Sequence, residues 1–172
     1  KPGHHAVAMF DALQKGELTG CWVQVTNPAQ SMPNLSGLTS KLKERFVVVS
    51  DVYPTVTTDQ AAVVLPSALW VEKNGVFGNS ERRTQQWFKM VEPPGDARDD
   101  VWQVLAVARK CFELGHPGMK NKDGEFLFTF KGADGQPLEI WKWEVFQAHN
   151  VDRMVFEEYR PFTQMKKYAL AP

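Results

Sequence analysis

The sequence is poor in cysteine, and its two thiols are badly placed for binding a metal. Cys21 and Cys111 are the only cysteines among 172 residues, each lies in an apolar run, and they form no Cys-x-x-Cys pair. An iron–sulfur cluster or a zinc site within this sequence is therefore not expected. The pattern favours two buried, unreactive thiols.

Long apolar runs, net charge and a glycine-rich nucleotide fingerprint are also missing. No run approaches the roughly eighteen apolar residues of a membrane-spanning helix. The 20 basic and 20 acidic side chains cancel, so the composition does not indicate general attraction to nucleic acid or anionic lipid. Because no Gly-x-Gly-x-x-Gly motif follows the first predicted strand, the usual NAD-binding fold is not supported.

The two ends suggest that the sequence belongs to a longer protein. It begins with Lys1-Pro2-Gly3 rather than Met, and Ala171-Pro172 follows no obvious closing element. We expect a mid-chain piece whose catalytic partners lie outside it. The length suits one domain with an appendage.

Helix and strand patterns alternate three times in the first 66 residues. Short connections between such elements are typical of a parallel sheet with crossover helices, so the sequence predicts an α/β, Rossmann-like fold. Thr57 and Gln60 are interpreted as a capping box for the last helix, which is short. All three strands are predicted to be buried, and the second is apolar throughout, as in a sheet covered on both faces. The predicted elements are helix 5–15, strand 20–26, helix 36–45 with a Leu35, Leu38 and Leu42 stripe, strand 46–50, and strand 61–66.

The second half of the chain has a different pattern. Its strongest helix is predicted at 96–114, with Asp100 as the N-cap and Gln103 as its partner. A small hairpin follows, with strands near 125–131 and 138–141 and a turn at Asp134-Gly135. Two short helices are predicted at 143–155 and 156–162, and His149 is interpreted as a surface residue. We expect residues 1–115 to form the cofactor-binding domain and 116–172 to form an extension of it.

Several polar residues follow the predicted parallel strands, where ligands of such sheets bind. Asn27 comes after the first strand, and Ser50-Asp51 ends the second. A carboxylate offers two acceptor oxygens to ribose hydroxyls or a guanine edge. Asp51 also fits a turn before Tyr53-Pro54, and Asp100 fits a helix cap, so for both residues the structural alternative stays open.

Residues 70–87 read WVEKNGVFGNSERRTQQW and contain a dense charge cluster after a glycine turn. Glu81, Arg82 and Arg83 could form a solvated loop, an internal ion-pair brace, or a cradle for an anion. Residue types alone do not choose between these three roles.

A longer and highly specific motif starts at Pro66. It reads Pro-x-x-x-Trp-x-Glu-Lys-x-Gly-x-x-x-Asn-x-Glu-Arg-Arg. With it, the sequence resembles the molybdopterin-guanine-dinucleotide oxidoreductases, the family of formate dehydrogenases and nitrate reductases. The segments CWVQVTNPAQSMPNL, GNSERRTQQW and VEPPGDARDDVWQ are most similar to nitrate reductases of the periplasmic type. The similarity is strong over residues 5–115 and returns near the end, in VFEEYRPFTQMKKYALAP.

This resemblance implies a part of a large enzyme that reduces nitrate to nitrite and is inactive when isolated. The implied cofactors are a bis-molybdopterin guanine dinucleotide with molybdenum and, in the absent region, a 4Fe-4S cluster. The implied partners are the remaining domains of the catalytic subunit and a cytochrome c electron-transfer subunit, in the periplasm. An assimilatory nitrate reductase, a formate dehydrogenase and a stand-alone nucleotide-binding module remain the alternatives.

The resemblance also assigns residues. Asn27, Ser50, Asp51, Lys73 and Asp100 match family positions that hold one guanine dinucleotide arm of the cofactor. Carboxylates suit guanine and ribose donors, while an ammonium group suits a phosphate. Glu81, Arg82 and Arg83 match the family too, but they are left outside this binding set.

Because the resemblance puts the metal ligands upstream, the purified chain is expected to contain neither molybdenum nor iron. Elemental analysis checks this expectation directly. A stoichiometric amount of either metal in the purified 172-residue chain would show that its own side chains bind metal.

Overall fold

The protein packs as two compact units, in a computed structural model that describes residues 3–33, 37–81, 83–157 and 169–170. The first unit comprises Lys1–Ser67 with Gly95–Ala97, and the second comprises Ala68–Pro94 with Arg98–Pro172. The domain boundary expected near residue 115 falls inside the second unit, and as a boundary between domains it stays a prediction.

The first unit is built on a three-stranded parallel sheet. The strand order is β1-β2-β3, with both pairings parallel, which confirms the predicted α/β class and the predicted neighbours. The elements of this unit are Ala6–Lys15 (α1), Gly20–Gln24 (β1), Pro28–Ser31 (α2), Leu38–Lys43 (α3), Phe46–Asp51 (β2), the 3-10 helix Thr58–Gln60, and Val63–Pro66 (β3).

The core of the first unit forms between β1, β2 and the helices. Leu13 of α1, Leu42 of α3, and Val47 and Val49 of β2 are completely buried. Helix α1 ends at Gly16, whose φ of 81° lies in the left-handed region that glycine adopts without strain. The predicted leucine stripe is half confirmed, because Leu38 and Leu42 are buried and Leu35 lies outside the described residues.

Two local predictions for this unit are wrong. Strand β3 is not buried, since Val63 and Val64 are 39% and 50% exposed. It pairs with β2 on one side, and no strand among the described residues pairs with its other side. Thr57 makes no side-chain cap bond to its helix. Its hydroxyl instead links two loops, as described below.

The second unit combines two hairpins with a long helix. Strand β5 pairs antiparallel with β4 and parallel with β8, and β6 pairs antiparallel with β7. The elements are the 3-10 helix Trp70–Glu72, Gly75–Gly78 (β4), Arg83–Trp87 (β5), Asp100–Glu113 (α4), the 3-10 helix Pro117–Met119, Phe130–Lys131 (β6), Pro137–Leu138 (β7), Trp143–Ala148 (α5), the helix 151–157 (α6), and Ala169–Leu170 (β8).

A separate core holds the second unit together. Leu105 of α4, Ile140, Phe146 of α5 and Val151 of α6 are buried against one another. The predicted small hairpin is confirmed, although each strand is only two residues long. The helix predicted at 156–162 is observed for its first two residues, as the end of α6, and the rest lies outside the described residues.

Leu42→Ala should destabilise the first unit by about 2–5 kcal/mol, because it removes completely buried methyl groups and leaves a cavity. Urea unfolding monitored by circular dichroism measures this change. Leu114→Ala is the matched control, since Leu114 is 78% exposed and should change stability by less than about 0.5 kcal/mol. Equal effects of the two substitutions would contradict the assigned core.

Candidate cofactor-binding site

The first group of predicted residues lies at the carboxyl edge of the parallel sheet. Gln24 at the end of β1 is in register with Ser50, and Asp51 is in register with Pro66 of β3. The backbone N–H of Val25 donates to the Ser50 carbonyl at 2.8 Å. Parallel pairing therefore brings the loop that carries Asn27 next to Ser50 and Asp51.

Asn27 is fixed by bonds to its own and a neighbouring loop. Its Oδ1 accepts a hydrogen bond of 2.6 Å from the hydroxyl of Thr57, and its Nδ2 donates to Gln30 at 2.7 Å. The same Thr57 oxygen accepts from the N–H of Ala29 at 3.1 Å. Thr57 is completely buried, so it joins the loops after β1 and β2 and orients the Asn27 amide.

Ser50 is completely buried inside the sheet. Its hydroxyl accepts a 2.8 Å hydrogen bond from the indole N–H of Trp22 on β1. The side chain therefore helps to pack the end of the strand. A contact of Ser50 with a cofactor stays a prediction.

Asp51 is half-buried at the end of β2 and forms the turn that its sequence context allowed. Its Oδ1 accepts from the N–H groups of Val52 at 2.7 Å and Tyr53 at 3.4 Å. Both bonds end on the same oxygen, and among the described residues no hydrogen bond to Oδ2 is found. The turn-forming role and a ligand-binding role are thus compatible in this carboxylate.

Two further features distinguish this edge. Val25 has a φ of 48°, an uncommon backbone conformation for a β-branched residue and one of the strained types found at ligand sites. The Nε2 donor of Gln24 is buried and lacks a hydrogen-bond partner among the described residues. A buried donor without an acceptor costs free energy unless a ligand or a water supplies one.

Lys73 and Asp100 form an ion pair within the second unit. The Lys73 ammonium group contacts Asp100 Oδ2, and the two side chains are only 19% and 20% exposed. Lys73 directly follows the 3-10 helix Trp70–Glu72, and Asp100 is the first residue of α4. The structure therefore pairs these two predicted site residues, which lie 27 positions apart in the chain.

The prediction that Asp100 caps its helix is wrong. The N-cap of α4 is Asp99, whose side chain accepts from the N–H of Val101 at 2.8 Å. The Nε2 group of Gln103 donates to the Arg98 carbonyl at 3.2 Å. Adjacent aspartates divide the two roles: Asp99 caps the helix, and the carboxylate of Asp100 is directed to Lys73.

The charged stretch at 70–87 forms a hairpin. Gly75 of β4 is in register with Trp87 of β5, and Gly78 with Thr84. Glu81 lies in the turn between the strands, whereas Arg82 and the side chain of Arg83 lie outside the described residues. The choice among a solvated loop, an internal brace and an anion cradle therefore stays open.

A small cavity lies beside Lys73 in the second unit. Its volume is about 40 Å³, and its lining includes Lys73, Asp99, His149 and Asp152. Sequence reasoning missed this group, since it interpreted His149 as a surface residue and did not single out Asp99 or Asp152. The available signal was weak: an Asp in the first turn of a short helix is common for electrostatic reasons alone.

Burial raises the pKa of both aspartates that line the cavity. Asp99 is only 3% exposed, and burial raises the pKa of its carboxyl despite the Val101 hydrogen bond and the charge of Lys73. Burial, and next the negative charge of Asp99, raise the pKa of Asp152 to about 7. Near neutral pH a large fraction of Asp152 is therefore protonated.

The described residues contain no group of three or more His, Cys, Asp or Glu side chains that could hold a metal ion. Cys21 and Cys111 are free and half-buried, rather than fully buried as expected, and burial raises the pKa of the Cys21 thiol. Within the same described part, no helix is both long and apolar enough to cross a membrane.

The fold is a parallel α/β sheet with polar groups at its carboxyl edge, the edge at which sheets of this class bind their ligands. The family model described as molybdopterin oxidoreductase matches residues 1–110, which is more than half of the 172-residue chain. The chain belongs to the molybdopterin oxidoreductase family. The enzymes of this family are molybdenum oxidoreductases whose cofactor contains molybdopterin, and all five predicted site residues lie inside the matched region.

The pKa of Asp152 generates a stability prediction. Because the folded-state pKa of about 7 exceeds the ordinary 3.8, folding favours the protonated carboxyl. The contribution of this carboxyl to the free energy of unfolding is fully present below about pH 4 and is lost as the pH rises to 7. Relative to wild type, Asp152→Asn should therefore become more stable between pH 5 and pH 8, by on the order of 2–4 kcal/mol.

Urea unfolding of both proteins across this pH range measures the difference. Asp123→Asn is the control, since Asp123 is exposed and its difference from wild type should not depend on pH. A constant difference between Asp152→Asn and wild type would contradict the assigned environment of Asp152.

Proposed function

We propose that this chain is the part of a bis-molybdopterin-guanine-dinucleotide nitrate reductase that binds one guanine dinucleotide arm of the cofactor. Membership of the molybdopterin oxidoreductase family supports the general chemistry. The Trp-x-Glu-Lys and Asn-x-Glu-Arg-Arg motifs, with their resemblance to periplasmic nitrate reductases, support the finer assignment. The whole enzyme reduces nitrate to nitrite, and this portion alone is inactive.

The observation that carries the proposal is the partly buried Lys73–Asp100 pair. A guanine dinucleotide needs a cation for its diphosphate and a carboxylate for the N–H donors of its base or its ribose hydroxyls. This pair offers both groups side by side at about one-fifth exposure. A fully exposed ion pair of this type would add little to the stability of the fold.

The donor and acceptor set of the sheet edge also fits this cofactor arm. Asp51 has one carboxylate oxygen engaged in its turn, which leaves acceptor capacity for guanine or ribose donors. Asn27 is oriented by Thr57, and the buried Gln24 Nε2 donor lacks an acceptor among the described residues. A phosphate or carbonyl oxygen would satisfy that donor, and the Ser50 backbone would set the spacing of the edge.

When bound, molybdenum supplies the two-electron oxygen-atom transfer from nitrate. The residues of this chain would hold and orient the organic part of the cofactor. A 4Fe-4S cluster elsewhere in the subunit, a cytochrome c partner and a periplasmic location belong to the same proposal. They are supported by resemblance to the periplasmic type.

A second candidate is a nucleotide-binding module without redox chemistry. The nucleotide-type sheet edge favours it as much as it favours the enzyme. The flanking sequence distinguishes the two, because an upstream Cys-x-x-Cys-x-x-x-Cys with a twin-arginine leader belongs only to the enzyme. Assimilatory nitrate reductases and formate dehydrogenases share the proposed binding function and differ in substrate.

The purified chain should bind guanosine diphosphate more tightly than adenosine diphosphate, because the proposed carboxylates accept from the guanine edge. Asp100→Asn should weaken guanosine diphosphate binding by about ten- to a hundredfold, the usual cost of losing a charged hydrogen-bond partner. Lys73→Gln should weaken both nucleotides, since it removes the diphosphate's cation. Isothermal titration calorimetry measures each affinity.

Asp123→Asn and Lys122→Gln are charge-matched controls on an exposed loop, and they should leave binding unchanged. Backbone NMR shifts near Asp100 and Lys73 should respond to guanosine diphosphate. Equal binding of the two nucleotides, or no binding at millimolar concentrations, would count against the proposal.

A further inference from the structure

The cavity beside Lys73 brings several charged side chains together. Lys73 contacts Asp100 directly, while Asp99 and Asp152 line the same cavity as Lys73. Glu72 and Lys89 line it as well, so the carboxyl groups around the cavity outnumber the ammonium groups. Repulsion among closely spaced carboxylates favours a proton on one of them.

Asp152 is the carboxyl group that takes this proton. Asp100 is paired with Lys73, and Asp99 accepts the capping bond from Val101. Asp152 lies in the first turn of α6, after Asn150, whose side chain accepts from Arg153 at 3.0 Å. Burial and the charge of Asp99 raise its pKa to about 7, whereas Lys73 acts in the opposite direction.

Other charged groups reach this cavity from the surrounding elements. Glu72 ends the 3-10 helix before Lys73, Lys89 follows β5, and His149 precedes α6. Lys89 also pairs with exposed Glu92. Any dependence on pH at Lys73 must therefore be separated from His149, because imidazole commonly changes charge in the same range.

We propose that Asp152 is a positioning residue for Lys73: as a neutral acid it leaves the ammonium group directed to Asp100 and to an anionic ligand, and as a carboxylate it draws that group toward the cavity. The cavity geometry carries this assignment, because Asp152 and Lys73 both line one small cavity of about 40 Å³.

The proposal has a reciprocal consequence for ligand binding, and this part rests on the proposed dinucleotide function. If ionisation of Asp152 lowers the affinity of the site for a diphosphate, then a bound diphosphate must raise the proton affinity of Asp152 by the same factor. Binding near pH 7 to 8 is therefore accompanied by proton uptake. The site would hold its dinucleotide more tightly in mildly acidic surroundings.

The first test needs no ligand. Carbon-detected NMR of the full chain between pH 5 and pH 9 should show Asp152 titrating near pH 7, with the Lys73 side-chain resonances moving at the same midpoint. Asp152→Asn should abolish the Lys73 transition, and His149→Gln should retain it. Asp123→Asn is the matched control on an exposed loop and should leave the transition unchanged.

The second test uses guanosine diphosphate as the probe. Its affinity for wild type should fall about five- to tenfold from pH 6 to pH 8, with uptake of up to about one proton seen by calorimetry in buffers of different ionisation enthalpy. Asp152→Asn should bind with nearly constant affinity and without this uptake. A merely structural Asp152 would change affinity equally at every pH.

The two tests separate the two proposals. A Lys73 transition that follows Asp152, without any nucleotide binding, supports the positioning role and counts against the dinucleotide function. A Lys73 side chain that does not respond between pH 6 and pH 8, or one that still responds in Asp152→Asn, overturns the positioning role even if guanosine diphosphate binds.

Discussion

Parallel pairing of β1, β2 and β3 is the constraint on which the first unit depends. All three strands end at the same edge, so residues distant in sequence meet there without any direct attraction between them. The register of Gln24 with Ser50 brings the loop of Asn27 next to Asp51. Thr57 then fixes that loop through hydrogen bonds to Asn27 and Ala29. The Thr57 side chain is completely buried, so water does not compete for its hydroxyl.

The second unit depends on a different balance, between burial and charge. Lys73 is kept at one-fifth exposure by its pairing with Asp100, while neighbouring Asp99 is buried because the first N–H groups of α4 need an acceptor. These two requirements assemble acidic groups near Lys73. Asp152 responds by holding a proton at a pH where most aspartates are ionised.

Family membership gives these local features a shared purpose. A molybdopterin oxidoreductase must hold a large anionic organic cofactor, and the groups suited to that task occur in both units. Asn27, Ser50 and Asp51 lie at the sheet edge of the first unit, and Lys73 with Asp100 lies in the second. The role proposed for these side chains is positioning, which depends on how firmly each side chain is oriented.

Sequence periodicity was sufficient for the elements whose apolar pattern is long or repeated. The α/β class, the three parallel strands and helix α1 follow from local patterns, because burying an apolar stripe or strand has few solutions. Edge and boundary details were missed: β3 is exposed and α4 starts at Asp100. Which strand becomes an edge depends on the number of neighbours that it finds, which no short segment encodes.

The sequence by itself determined the family and the five candidate residues, since motif spacing such as Trp-x-Glu-Lys is local information. Only the tertiary structure decided how they are used. The helix cap is Asp99 rather than Asp100, Asp100 pairs with Lys73, and Asp152 and His149 line a cavity together with Lys73. The electrostatic environment of a side chain arises from contacts between distant segments. An aspartate therefore has either its ordinary pKa or a raised one according to the groups that surround it.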